Sequence, residues 1–204
     1  MCATGLLHTI MFNRALGVVS PMEVESEKGL DLCWVDCNDP NVRHKFTEKL
    51  REFEANIQRA GAGAAGGGGT HPQLHTVTLQ FFKSFVEQGM FSTTKKKRIW
   101  EEWKLPLAIN AGAAGSDEAA ASADQRRHKL SRELRERMMT ILEQVDAKKD
   151  HLPEISIRGG VEPVGVTYEW DLILSDSGGG GASRPPSGWA VDIGNIGNMF
   201  GAGK

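Results

Sequence analysis

Gln88-Gly89-Met90-Phe91-Ser92-Thr93-Thr94-Lys95-Lys96-Lys97-Arg98-Ile99-Trp100-Glu101-Glu102-Trp103 is the stretch on which the fold turns. An apolar pair, Met90-Phe91, precedes four basic residues and a Trp-x-x-Trp spacing. Large apolar side chains in a polar connection point to a surface made for a partner. On both sides lie runs with the two-residue period of a half-buried strand. Residues 76–82 place Val77, Leu79 and Phe81 on one face. Residues 99–109 place Ile99, Trp103, Leu105, Leu107 and Ile109 on one face, with Glu101 the polar exception. Pro106 lacks an N–H for a ladder, so an edge or bulge is expected there. Residues 83–98 then read as the loop of a long hairpin. Trp100 and Trp103 have opposite parity, so Trp103 is expected to anchor the core and Trp100 to brace the loop.

Working outward, three helices flank these strands. Leu6, Leu7, Ile10 and Met11 recur at helical spacing, and Gly17 suits a C-terminal cap. Asp39-Pro40 reads as an N-cap followed by proline at the first helical position. Val42, Phe46, Leu50, Phe53 and Ile57 are the buried stripe of that second helix, which ends at Gly61. Asp124 caps a third helix from Gln125 to about Lys149, with Leu130, Leu134, Met138, Ile141, Leu142 and Val145 on its core face. His151-Leu152-Pro153 stops it. Two further strands are expected, at 30–35 with Leu30, Leu32 and Trp34 on one face, and at 164–174 with Val166, Tyr168, Trp170, Leu172 and Leu174 on one face. Helices and strands mix without strict alternation, so the class is α+β.

The chain has 204 residues, enough for one full domain, and its 25% charged and 40% hydrophobic content is that of an ordinary globular protein. A single domain is expected over residues 1–174. Low-complexity insertions fall at 61–70 and 111–123, where Gly and Ala leave nothing to bury. The Gly/Ser/Pro-rich tail, 175–204, is expected to be disordered. Net charge is −2, which supplies no basic field for nucleic acid. No apolar run approaches the roughly 20 residues of a spanning helix. The N-terminus lacks a basic start followed by an apolar core, so secretion is not expected, and three cysteines suit a reducing compartment.

Chemistry finds little footing. No Lys-Ser/Thr follows the glycines at 66–69, so they are not a phosphate loop. Cys33, Cys37 and His44 could form a metal cluster, but a structural zinc takes four ligands at recognisable spacings, and free thiols are the plainer reading. His71 and His75 read as solvated loop histidines. No nucleophile elbow occurs, and the acidic residues interleave with Lys and Arg as on a solvated face. No catalytic residue, cofactor or metal is assigned. Lys95, Lys96, Lys97 and Arg98 read as a solvated loop, with peripheral contact to an anionic membrane as the alternative.

Three separated motifs occur in register: Leu7-His8-Thr9-Ile10-Met11-Phe12-Asn13-Arg14-Ala15-Leu16-Gly17, the Trp100-Glu101-Glu102-Trp103 strand start, and Lys148-Lys149-Asp150-His151-Leu152-Pro153. Their order resembles the autophagy-related protein 101 family, its plant-type members in particular, over roughly Leu7 to Leu174. The resemblance implies a HORMA-like fold, a mainly antiparallel sheet backed by three helices. It implies a non-enzymatic adaptor of the autophagy-initiating kinase complex, cytoplasmic and recruited to the phagophore assembly site. The implied partner is the HORMA domain of autophagy-related protein 13, as a heterodimer. A loop finger bearing Trp and Phe is implied to recruit downstream autophagy factors. By position the finger is Met90 and Phe91, with Met90 standing where tryptophan is expected. Asn13 and Arg14, on the first helix, are the candidates for HORMA pairing. That helix is shorter than the family's, and its opening turns are expected to be missing from the gene model. The alternative function is a HORMA-type peptide clamp of checkpoint or chromosome-axis type, closing a C-terminal segment over a bound peptide.

Overall fold

The computed structural model describes residues 2–26, 30–63, 73–88, 92–109, 118–154, 166, 168–176 and 189–192. Its elements in chain order are α1 (Cys2–Arg14), β1 (Met22–Glu25), β2 (Cys33–Asp36), α2 (Pro40–Gly63), β3 (Gln73–Gln88), β4 (Thr93–Ile109), α3 (Glu118–Ala147), β5 (Glu169–Asp176) and β6 (Trp189–Asp192). The class is α+β, with helices mixed among mainly antiparallel strands.

The central sheet runs β5-β3-β4-β6, and β1-β2 form a separate two-stranded ribbon. One face of the sheet carries Val77, Leu79, Phe81, Trp103, Leu105, Leu107 and Leu172, all buried. Against it pack Leu6, Leu7, Ile10 and Met11 of α1, Val42, Phe46, Leu50 and Phe53 of α2, and Leu134, Ile141 and Val145 of α3. One continuous core therefore holds all three helices on one side of the sheet. The start of α2 follows its sequence signal: Asp39 Oδ1 accepts from the N–H of Asn41 at 2.8 Å and of Val42 at 3.4 Å. Pro106 sits opposite Thr76 on a part of β4 with no strand on its other side among the described residues, since β6 pairs with residues 101–104.

Several expectations are corrected. Residues 83–98 are not a loop: β3 and β4 stay paired out to Gln88 and Thr93. Glu101 pairs with Phe81 but Ile99 with Phe82, which makes Trp100 an extra residue, a bulge. The bulge moves Ile99 off the face that Trp103 and Leu105 share. The C-terminal turn of α1 is made by Leu16, not Gly17, at a φ of 54°. The strand expected at 30–35 begins only at Cys33, because Asp31 takes a φ of 46° and cannot extend. The third helix begins at Glu118 rather than after Asp124, since alanines are strong helix formers, so it runs into the insertion expected at 111–123. The second helix likewise reaches Gly63. Inside the expected disordered tail, Trp189–Asp192 form a strand parallel to residues 101–104, because β4's open edge offers unmet backbone groups. His75 is buried in β3, edge-on to Phe53 at 5.4 Å. His71, Met90 and Phe91 lie outside the described residues.

Candidate functional site

Two features of the surface have the geometry for partner recognition, and a buried ion pair holds them in place. The pair comes first because it involves Arg14. That side chain does not face a partner: it is 1% exposed, sealed between α1, β4 and α3. Its Nε donates to Glu101 Oε2 at 2.7 Å and Oε1 at 3.0 Å. Its terminal nitrogens reach the carbonyls of Lys148 at 3.2 Å and Val145 at 3.5 Å. The guanidinium also lies 5.9 Å from the Trp103 ring centre. Arg14 thus satisfies the open C-terminal carbonyls of α3 with a cation, where the helix dipole favours one. Glu101, the polar exception on an apolar strand face, is the counter-charge, and His151 Nε2 stands 3.4 Å from its Oε2. The sequence hint was a carboxylate at a core parity and an arginine at a helix end.

The first surface feature is an arm. β5 pairs with β3 only from His75 to Phe82, so, among the described residues, 83–88 and 93–98 continue as two strands alone. Six residues at roughly 3.4 Å each carry this ribbon about 20 Å past the sheet. Phe85 and Val86 stand on its opposite faces, 45% and 59% exposed. The base is braced as expected for Trp100, whose ring packs 5.3 Å from Phe81 and from Tyr168. The Tyr168 hydroxyl is held by the carbonyl of Pro153 at 2.6 Å, and Ser84 N–H donates to Glu169 at 2.7 Å.

The basic run is not a bare cationic patch. Lys95 faces Glu169 at 3.9 Å, Lys97 faces Asp171 at 3.6 Å, and Lys96 pairs with Glu87. The carboxyl of Asp171 is opposed by burial, yet hydrogen bonding from Lys45 and nearby lysine charge hold it below the usual carboxylate range. These acids offset much of the field that an anionic membrane would need, and they come from strands the local sequence does not show.

The second feature is a groove of 970 Å³ between α1, α3 and the β1-β2 ribbon. Phe12, Trp34 and Met138 line it, as does Asn13. Met139, Leu142 and Val35 stand at it 57%, 41% and 37% exposed. Leu142 was expected in the core; it lies just past the buried arc that Leu134, Ile141 and Val145 define. Trp34 is seated against α1, where a Cβ built on Gly5 would meet its ring at 2.9 Å. The ribbon is tied to α2 by Arg43, which grips Asp36 with two hydrogen bonds of 2.6 and 2.9 Å. Burial opposes the Asp36 charge, but that grip and the Asn38 N–H keep its carboxyl below the usual range.

Cys33 and Cys37 do not converge: the first is exposed at the groove, the second buried in the core, where burial pushes its thiol up. His44 is occupied on the α2 surface by Glu48 at 3.3 Å. Among the described residues, no three His, Cys, Asp or Glu side chains group as a metal site.

The family model described as autophagy-related protein 101 matches residues 2–158. The chain belongs to the autophagy-related protein 101 family. A relative named autophagy-related protein 101, from Arabidopsis thaliana, is 27% identical over 186 residues, covering 84% of this chain and 78% of its own. All three motifs lie in or at the edges of described elements: the first on α1, the Trp-x-x-Trp on β4, and the Lys-Lys-Asp-His-Leu-Pro segment just after α3. Membership in the autophagy-related protein 101 family gives the chain an autophagy-related role.

Proposed function

We propose that this protein is a non-enzymatic adaptor of autophagosome initiation, built as a HORMA-like domain. It pairs with the HORMA domain of autophagy-related protein 13 within the initiating kinase complex, and it recruits downstream factors through its arm. The observation that carries this reading is the arm itself, two strands continued about 20 Å past the sheet with apolar residues on both faces. A ribbon whose side chains are exposed apart from Ser84 adds little to the core, so its length and its apolar residues suit contact with another molecule. Met90 and Phe91 fall in sequence between its two strands, and we assign them to the recruiting finger. Of the two pairing candidates on α1, Asn13 remains half-exposed at the groove, so the groove side is the pairing face. The protein works in the cytoplasm and is recruited to the phagophore assembly site.

The test is a Met90→Ser, Phe91→Ser double variant in cells lacking the native protein. Recruitment of downstream factors is expected to fail while co-purification with autophagy-related protein 13 persists. Normal recruitment by the double variant would overturn the finger reading, and failure of the two folded chains to pair would overturn the adaptor.

A further inference from the structure

We infer that the groove between α1, α3 and the β1-β2 ribbon captures a cationic segment with apolar anchors, carried by a partner protein. The inference rests on the reading of the Asn13 side as the pairing face, and it specifies the chemistry that enters there.

The cavity, at 970 Å³, lies at the upper end of the roughly 300–1,000 Å³ typical of ligand clefts. Its apolar lining is supplied by Phe12, Trp34, Met138 and Met139. Methionines repack around irregular shapes, which suits a peptide anchor better than a rigid small molecule. Its polar groups are mostly acceptors. Glu23 and Glu25 are exposed on the ribbon and have no ion-pair partner among the described residues. Asn13 spends one of its two amide N–H groups on the carbonyl of Thr9 at 2.7 Å, and its Oδ1 can accept. Thr9 donates its hydroxyl to the Gly5 carbonyl at 2.8 Å. The one cation in the lining among the described residues, Arg135, is held by Asp31, with Nη2 2.7 Å from Oδ2. A groove with an apolar floor, two carboxylates unmatched among the described residues and an arginine already paired with Asp31 selects against acidic segments and for Lys- or Arg-bearing ones. A second copy of this chain has no such claim on it: the basic arm that could fit has its lysines matched by Glu87, Glu169 and Asp171.

The experiment uses two fluorescent 12-residue peptides on the full chain. One alternates leucine with lysine; the other has glutamate at each lysine position. Saturable anisotropy binding of the lysine peptide is expected, weakening as salt is raised, with the glutamate peptide bound at least about tenfold more weakly. The exposed Cys33 thiol, which lines the groove, gives a local readout: the lysine peptide is expected to slow its alkylation. The Glu23→Lys, Glu25→Lys variant is expected to reverse the charge preference, and Leu142→Ser, which removes an apolar contact without adding charge, to weaken the lysine peptide without unfolding the chain. No saturable binding, equal binding of the two peptides, or unchanged preference in the charge-reversed variant would each overturn the inference. Self-association abolished by Leu142→Ser would overturn it in favour of a second copy. Because the peptides need no autophagy-related protein 13, a failure of the pairing reading is seen separately, in co-purification.

Discussion

Replacing Arg14 by methionine tests how the molecule is held together. Methionine keeps the unbranched stem that packs near Trp103 and deletes the guanidinium. Glu101, 1% exposed, would keep its carboxylate but lose both contacts to Nε, and α3 would lose the donor at Lys148 and Val145. Breaking a buried pair from one side costs about 3–5 kcal/mol, because the surviving charge stays desolvated. The whole fold of a domain this size is stable by only about 5–15 kcal/mol. With an m-value of about 2 kcal/mol/M, the urea midpoint is expected to fall by about 1.5–2.5 M, followed by tryptophan fluorescence. The Arg14→Met, Glu101→Leu double variant removes both charges and is expected to recover most of that loss, for a coupling energy of about 3 kcal/mol. A single variant that moves the midpoint by less than about 0.5 M, or a double variant whose losses simply add, would refute the reasoning. An Arg14→Met protein that folds normally but no longer pairs would put Arg14 back on an interface.

Three further outcomes follow from the same packing. His8 is buried, edge-on to Phe46 at 5.0 Å, and burial lowers its pKa to about 4 from 6.5. The unfolded chain therefore binds this proton more readily, so stability is full above pH 6.5 and falls as pH drops toward 4, by about 3 kcal/mol in all; His8→Leu should flatten that part of a pH–stability curve. Gly5→Ala gains helix propensity of about 1 kcal/mol but forces its Cβ to 2.9 Å from the Trp34 ring, so a net loss of about 1–2 kcal/mol is expected in thermal unfolding. Asp39→Ala removes the side-chain acceptor at the start of α2 and should cost about 1 kcal/mol in urea unfolding, with the arm and groove unchanged.

What the sequence made legible was whatever burial had patterned. The stripe from Val42 to Phe53 and the alternation at Val77, Leu79 and Phe81 could be read because each repeats a single apolar face. The arm has no buried face, so Lys83, Ser84, Phe85 and Val86 carry no strand period, and pairing with β4 alone makes them a strand. Arg14 looked like surface because its counter-charge is 87 residues away, and one chain written linearly does not show which carboxylate will meet it. The register shift at Trp100 is likewise a property of two strands together. The ribbon strand β1, Met-Glu-Val-Glu, was missed: three of its four residues are exposed and its hydrogen bonds go to β2. Of the candidate site, the finger at Met90 and Phe91 is expected from family resemblance and lies outside the described residues, and Asn13 is a candidate from its place on the first helix, whereas the groove, assembled from α1, β1, β2 and α3, has no local signature.

The four consecutive basic residues have a role that needs no ligand. Beyond Phe82 and Glu101 neither strand of the arm has an outer neighbour among the described residues, so two rows of backbone N–H and C=O stand open along its length. Such ribbons nucleate edge-to-edge stacking between molecules, and lysine is the residue that most often prevents it, because a second copy would bring like charges into register. Lys95 to Arg98 line one of these rows, and Lys83 begins the other. Their carboxylate partners offset part of that charge, and what is left, with Arg98, still repels a like row on a second copy. The charge run is thus the condition under which a long, apolar-bearing arm can stay extended without stacking on another copy.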